Sequence, residues 1–386
     1  SMGADIGDIN NDGYPDIFTT DMLPGDDYRL KTTFAFEDIK GYNTLKNNSI
    51  FIEHDNRYHP ENELSKSDLL RSNEDNIISY IELPIFYNNE FIGFVCLEFD
   101  CPFPMNERQI NLVKNFATLL SVAIHKIQIQ QDLALKNKDI TDSLYYAKSI
   151  QTSYLPQKEE LQNVLKDFVL YYKPKDIVSG DFYWLEDMPN YSIIALGDCT
   201  GHGVPGAFIT MLGHNLLTQV TSELANYSPA KMLEYINEKI YLALNKNKDT
   251  YIKDGMELGI CVYDKINKTL LFAGSGIELN YFQKNELKTI EVPRYMIGDN
   301  PKQTTMDDVI IHLNGSEKFY LSSDGYRDQL GGEPRKRYSK ARYIKLLTEI
   351  KNLPSFQQSF IMNLNHQNHR GNHEQTDDIL VIGFEL

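Results

Sequence analysis

Cysteine is scarce in this chain, and so is anything that would hold it in lipid. Cys96, Cys101, Cys199 and Cys261 are its four cysteines, scattered through 386 residues. No two form a Cys-x-x-Cys pair, so neither a disulfide framework nor a cysteine zinc site is encoded. A reducing compartment, the cytoplasm, is the expected location. No apolar run reaches the roughly 18 residues of a membrane span, and no charged-then-apolar signal segment opens the chain. Positive charge is also in deficit. Lys and Arg number 38 against 54 Asp and Glu, a formal net charge of −16. With no evident basic stripe to offset it, such a chain repels nucleic-acid backbone and anionic lipid, so neither is an expected partner.

What is present is ordinary globular material: 41% hydrophobic and 24% charged residues, at a length that suits two or three domains. Residues 1–47 are rich in Gly, Asp and Asn and carry no long periodic segment. In residues 48–104, Ile77–Ile85 and Phe91–Phe99 are β-rich, and Asn88-Asn89 between them makes a hairpin turn. One helix is expected from about Met105 to Tyr154, with Pro104 at its start. Along it Ile110, Val113, Phe116, Ala117, Leu120, Ile124 and Ile127 recur at helical spacing, and Ile140, Leu144, Ala147 and Gln151 continue one face. Two readings fit: a helix docked on its own domain, or a coiled-coil connector that pairs two chains.

Residues 157–386 have the size of a full domain. β-rich runs (168–172, 191–197, 259–263, 269–273, 318–322 and 379–384) and helical runs (204–224, 229–244 and 341–350) come in blocks. That order favours α+β over a doubly wound sheet.

The chemistry concentrates in this domain. Asp181 in VSGDF, Asp198 in ALGDCTGHG, Asp324 in LSSDG and Asp377 in TDDILVI each lie at the end of an apolar run, beside Gly or another Asp. A carboxylate at a strand end is held rigidly yet faces a cleft, and a neighbouring Gly lets backbone approach a ligand. Hard divalent cations take such oxygen donors, and four of them suffice for two ions. The run GDCTGHGVPGAFITMLG adds a Gly-rich loop opening into a helix near Val204-Pro205, a suitable place for an anion.

Taken together, VSGDFYW, GDCTGHGVPGAFITMLG, LSSDGYRDQLGG and EQTDDILVIGF resemble, in order and spacing, the metal-dependent type 2C protein phosphatases, and within them the bacterial SpoIIE-like branch. The stretch AKSIQ through Leu155-Pro156 resembles the connector that precedes that domain. The resemblance implies a β-sandwich of two antiparallel sheets flanked by helices and a centre of two Mn²⁺ or Mg²⁺ ions. Carried over by motif, Asp198 would bridge the metals and the backbone carbonyl of Cys199 would be a further ligand. Asp324 and Asp377 would complete one ion, and Asp181 would serve the other. Asp254 and Glu257, in DGME, match another characteristic stretch without a firm role.

Phosphate-monoester hydrolysis is extremely slow without a catalyst, and two metals answer that by neutralising charge and activating water. Cys199 need not be a nucleophile. His202 suits protonation of the leaving alkoxide. Eukaryotic members grip the phosphate with an Arg that nothing here clearly replaces, although Lys173 and Lys175 lie just before the first motif. The implied function is a protein serine/threonine phosphatase, the output module of a bacterial signalling protein. Its expected substrate is a phosphorylated regulatory protein such as an anti-sigma-factor antagonist, and its expected assembly a homodimer through the connector helix. The alternatives are a non-catalytic phosphoprotein-binding module and a GAF-type sensor.

Residues 77–130 resemble the C-terminal half of a GAF sensor domain. The expected organisation is therefore a segment of separate character over 1–47, a partial GAF-like unit over 48–125, a helical connector over 126–156 and the phosphatase domain over 157–386. Within the first segment, Asp8, Asn10, Asp12 and Asp16 place oxygen side chains at alternate positions with Gly13 at the bend, a candidate Ca²⁺ loop. It resembles an FG-GAP or VCBS-type repeat. Finally, His366, His369 and His373 cluster in a polar stretch that reads as a solvated loop, or less readily as a zinc site.

Overall fold

The computed structural model describes residues 106–224, 227–245, 253–300 and 307–386, together with residues 79–88 and several strand backbones before and after them. Contacts divide the chain into two units, Ser1–Lys138 and Asp139–Leu386.

In the first unit, β1 (Ala4–Gly7), β2 (Asp16–Thr19), β3 (Lys31–Thr33), β4 (Phe51–Glu53), β5 (Ser79–Tyr87) and β6 (Glu90–Phe99) form one sheet in the order β1-β2-β3-β6-β5-β4. The expected hairpin is β5–β6, antiparallel, with Asn88 at positive φ in its turn. Asp8, Asn10 and Asp12 lie outside the described residues, as does the side chain of Asp16, so the candidate Ca²⁺ loop lies there too. Helix α1 (Glu107–Tyr154) begins in this unit. Ala117, Ser121 and Ile124 are buried on one face, and His125 stacks on Tyr87. On the remaining surface Leu112, Leu119, Leu133, Leu135 and Ile140 are exposed.

The second unit takes up the last turns of α1 and a short helix α2 (Lys158–Val164). The strands that follow are β7 (Asp167–Lys173), β8 (Asp181–Asp187), β9 (Tyr191–Cys199), β10 (Met256–Asp264), β11 (Thr269–Ser275), β12 (Leu279–Gln283), β13 (Glu286–Ile290), β14 (Val309–His312), β15 (Lys318–Ser322), the two-residue β16 (Leu330–Gly331) and β17 (Lys336–Arg337), and β18 (Ile379–Glu385). Among the described residues they build two five-stranded sheets, β14-β11-β10-β9-β8 and β13-β12-β15-β18-β7, with antiparallel neighbours throughout. The helices are α3 (Gly203–Glu223), α4 (Pro229–Leu244), α5 (Gly325–Asp328), α6 (Lys340–Ile350) and α7 (Ser355–Arg370).

Burial follows the strand period of two. In β18, Leu380, Ile382 and Phe384 join the core between the sheets, while Ile379 and Val381 face a second core with Tyr343, Leu346, Leu347 and Met362 of α6 and α7. In β9, Ile193, Ile194, Ala195 and Leu196 are all fully buried. A strand buried on both faces needs cover on both. Leu217 and Val220 of α3 and Leu233 and Ile236 of α4 join that same core. The expected two-sheet sandwich with helices outside is therefore the observed fold.

The histidine stretch differs from its reading as a solvated loop. His366 and His369 lie on α7, and His366 is buried, its Nε2 3.1 Å from Gln329 Oε1 and its ring beside Tyr171 and Tyr326.

Candidate functional site

Strand register assembles the site. Residues directly opposite one another in antiparallel strands share a face. Asp181 opposes Asp198 across β8–β9, and Asp198 opposes Glu257 across β9–β10. Three carboxylates thus stand in one row at one end of a sheet. Asp198 closes β9 one residue before its end, so the strand runs past the point where its apolar run stops. The second sheet contributes from its own strand ends. Asp324 lies two residues beyond β15, at the N-cap position of α5 with its carboxylate not spent on a cap bond, and Asp377 lies two residues before β18. The backbone N–H of Asp324 donates to the Asp198 carboxylate.

The electrostatics follow from this crowding. Asp181 is only 1% exposed, and burial, then the charge of Asp198, raises it well above the usual carboxylate range; the Ser323 hydroxyl, donating to Asp181 Oδ2 at 2.6 Å, opposes the shift. Asp198 is likewise raised by burial and by Asp324, Glu257 and Asp377. Glu257 and Asp324 are raised by burial, each with a further carboxylate adding to it. Among the described residues no three His, Cys, Asp or Glu side chains are gathered closely enough to hold an ion as they stand. The donors of this row are nonetheless all oxygen and mutually repelling, the chemistry that suits a hard divalent cation and suits zinc poorly.

Asp377 and Asp378 divide their work. Asp378 is spent on backbone: its Oδ1 accepts from Lys175 N–H and its Oδ2 from Gly180 N–H, both at 2.7 Å. That clasp fixes the turn into β8 and hence the position of Asp181. The Asp377 carboxylate accepts only from the Asp378 N–H, at 2.8 Å, among the described residues.

The loop after β9 is held by small residues. Gly201 and Gly203 take positive φ, and a Cβ on Gly206 would stand 2.5 Å from Gly201 O and 2.9 Å from Gly180 Cα. Thr200 Oγ1 exchanges hydrogen bonds with Gly255, donating to its carbonyl at 2.7 Å and accepting from its N–H at 2.6 Å. The neighbouring Asp254 is exposed and outside the carboxylate row. Cys199 is buried beside Thr210, and burial raises its thiol well above the ordinary range, so thiolate chemistry is disfavoured. His202 stands at the N-cap of α3, and its Nδ1 is 2.5 Å from Asp176 Oδ2. Both side chains are about half exposed, on the solvent side of the loop.

Lys173 packs towards α7. On β7 it alternates with Tyr172, whose hydroxyl donates to the Asp181 carbonyl, and its neighbours are Arg370 and His366 of α7. Lys175 meets the site through its backbone N–H. Sequence reading left Glu257 without a role and missed Asp176, Ser323 and Asp378. Register reveals the first; long-range pairings reveal the others.

Comparison with known proteins agrees with this geometry. The family profile of Stage II sporulation protein E (SpoIIE) matches residues 189–386, and that of the GAF domain matches residues 24–124. The GAF match overlaps the unit expected over 48–125 and reaches back into the segment expected over 1–47. The SiaA-PP2C domain of Pseudomonas aeruginosa is 30% identical, with 66% of this chain and 99% of that one covered and a TM-score of 0.59. The RsbU and RsbW domains of a Mycobacterium tuberculosis protein are 16% identical over 57% of this chain and 59% of that one, TM-score 0.46. The SpoIIE phosphatase domain with a fragment of its regulatory domain, from Bacillus subtilis, is 15% identical over 57% and 63%, TM-score 0.45. No curated protein sequence matches the chain. The chain belongs to the SpoIIE family of PP2C-type serine/threonine phosphatases and carries a GAF domain ahead of its catalytic domain.

Proposed function

We propose that the domain hydrolyses phosphoserine and phosphothreonine in a phosphorylated regulatory protein, with the strand-end carboxylates as its metal site. The observation that carries this reading is the row Asp181–Asp198–Glu257 on one sheet, facing Asp324 and Asp377 from the other. The family is metal-dependent. In this chain Asp181, Asp198, Asp324 and Asp377, with the backbone carbonyl of Cys199, would hold two Mn²⁺ or Mg²⁺ ions, and Glu257 extends the set. Such ions, when bound, neutralise phosphoryl charge and lower the pKa of water towards neutrality.

The chain's own residues do the rest. Asp378 and Ser323 hold Asp181 in place through the Gly180 N–H and the 2.6 Å hydroxyl contact. Asp176 orients His202 through Nδ1, leaving Nε2 to give a proton to the departing serine or threonine oxygen. The buried Cys199 thiol takes no part as nucleophile.

The exposed apolar residues of α1, Leu112, Leu119, Leu133 and Ile140, recur at seven-residue multiples and support pairing of two chains along this helix. The GAF domain would then supply the regulating signal. Among the described residues no helix is long and apolar enough to cross a membrane. The two described cysteines are free and buried, which accords with a cytoplasmic setting.

Calorimetric titration of the full chain with Mn²⁺ tests the site. Two equivalents bound by the wild type, and fewer by Asp198→Asn and Asp324→Asn, are expected; undiminished binding in both variants would overturn the assignment.

A further inference from the structure

The chain is acidic overall, yet one segment runs against that charge. Arg335, Lys336, Arg337, Lys340, Arg342 and Lys345 fall within eleven residues, with no acidic residue between Glu333 and Glu349. The expectation of no basic stripe is thus corrected by residues 335–345, and the fold sets Arg337 and Lys340 of that run beside the elements that carry the carboxylates. Two contacts fix that placement. Arg337 Nη1 donates to Asp328 Oδ2 at 3.0 Å, on the one-turn helix that begins after Asp324. Lys340 Nζ pairs at 2.6 Å with buried Glu278, whose charge reaches Glu257. Arg327, on that same one-turn helix, lies near enough to both Glu257 and Asp324 for its charge to favour their ionised forms.

Not all of these cations are used internally. Lys340 is paired with Glu278, Arg337 with Asp328, and Arg342 lies over the Tyr338 ring. Arg335 and Lys336 are exposed, and among the described residues their side chains have no ion pair or hydrogen bond. The half-buried Arg327 likewise has neither through its side chain. An unpaired guanidinium held at half-burial beside carboxylates is available to pair two N–H groups with two oxygens of a phosphate.

Resting on the phosphatase reading above, we infer that Arg327 with Arg335 and Lys336 forms the substrate-receiving side of the site, selecting a phosphoprotein whose segment around the phosphorylated residue is acidic. Arg327 takes the phosphate, and the hairpin cations take the flanking carboxylates. Exposed charges of this kind act on encounter and selectivity, and their effect falls as salt rises.

The test uses the full chain with Mn²⁺ and three labelled peptides read by fluorescence anisotropy. Two carry a non-hydrolysable phosphonate in place of phosphothreonine, one flanked by Asp and Glu and one by Lys; the third is acidic and lacks the phosphonate. Wild type is expected to prefer the acidic phosphonate peptide over the Lys-flanked one by roughly tenfold at low salt, with the preference shrinking at 0.5 M NaCl. R335E/K336E should abolish or invert it with thermal stability unchanged. R327Q should weaken both phosphonate peptides alike and leave the third unaffected. Equal binding of both phosphonate peptides, or a preference that survives R335E/K336E, overturns the inference. Because binding is read without turnover, failure of phosphate release from hydrolysable versions of these peptides would count against the phosphatase reading alone.

Discussion

Replacing Asp198 by Asn should stabilise the metal-free protein while abolishing its activity. Asp198 is the middle carboxylate of a row, with Asp181 and Glu257 directly opposite it on the two adjacent strands. Facing Cβ atoms in such pairs stand about 5 Å apart, and two charges at roughly 5.5 Å with an effective dielectric near 20 repel by about 3 kcal/mol. The row relieves part of this by taking up protons, as the raised Asp181 and Asp198 carboxyls indicate. Asparagine keeps the shape, removes the charge and loses some strength in the bond from the Asp324 N–H. The net gain near pH 8 is then on the order of 2 kcal/mol, or about 4–8 °C in melting temperature for a domain of this size.

The pH dependence has a definite sign. Carboxyls raised in the folded state bind more protons folded than unfolded, so the wild type without metal loses stability as pH rises from the ordinary carboxylate range towards the raised values. The advantage of Asp198→Asn therefore shrinks between pH 8 and pH 5. Saturating Mn²⁺ reverses the order, since only the wild type gains the full binding free energy. Melting curves of both proteins in EDTA and in Mn²⁺, at the two pH values, read all of this. A variant less stable than wild type in EDTA at pH 8 would refute the reasoning.

Other outcomes follow from single contacts. Ser323→Ala removes the buried 2.6 Å donor to Asp181 and one acceptor for the Leu380 N–H; stability should fall by about 1–3 kcal/mol, with weaker Mn²⁺ binding, by denaturant melts and calorimetry. His202→Gln should lower kcat on a phosphothreonine peptide by roughly 100-fold yet hardly affect p-nitrophenyl phosphate, whose leaving group needs no proton; Asp176→Asn should show the same split more weakly. Buried His366 is held down to about 4 by its burial and by Lys173 and Arg370. Its contribution is complete above pH 6.5 and is lost as pH falls towards 4, at most about 3 kcal/mol, and His366→Gln should flatten the acid limb of the stability curve.

How much of this was legible in the sequence depended on the kind of signal. Asp181, Asp198, Asp324 and Asp377 stood out because each ends an apolar run, and strand ends are where the two sheets present side chains. Glu257 gave no such signal; its place comes from the pairing of β10 with β9, a register that no local pattern encodes. Asp176 and His202 are 26 residues apart and meet where the β7–β8 turn, closed by the Asp378 clasp, lies against the end of β9 through the Cys199 N–H bond to Gly180 O. Helix α7 escaped the periodicity reading for a chemical reason. Its buried positions one turn apart are Gln358, Met362 and His366, two of them polar, with Gln358 Oε1 accepting from the Tyr320 hydroxyl and His366 Nε2 bonded to Gln329. The apolar stripe that marks α4, with Met232, Leu233, Ile236 and Ile240, is there replaced by buried hydrogen bonds.

The central claim is that these carboxylates form a metal-dependent phosphatase centre. Its most direct test is phosphate release from a phosphothreonine protein pool by the full chain in Mn²⁺, beside the same protein in EDTA and Asp198→Asn in Mn²⁺. The account predicts release by the wild type with metal and none in either control. Equal release by folded Asp198→Asn, or release undiminished by EDTA, would contradict it.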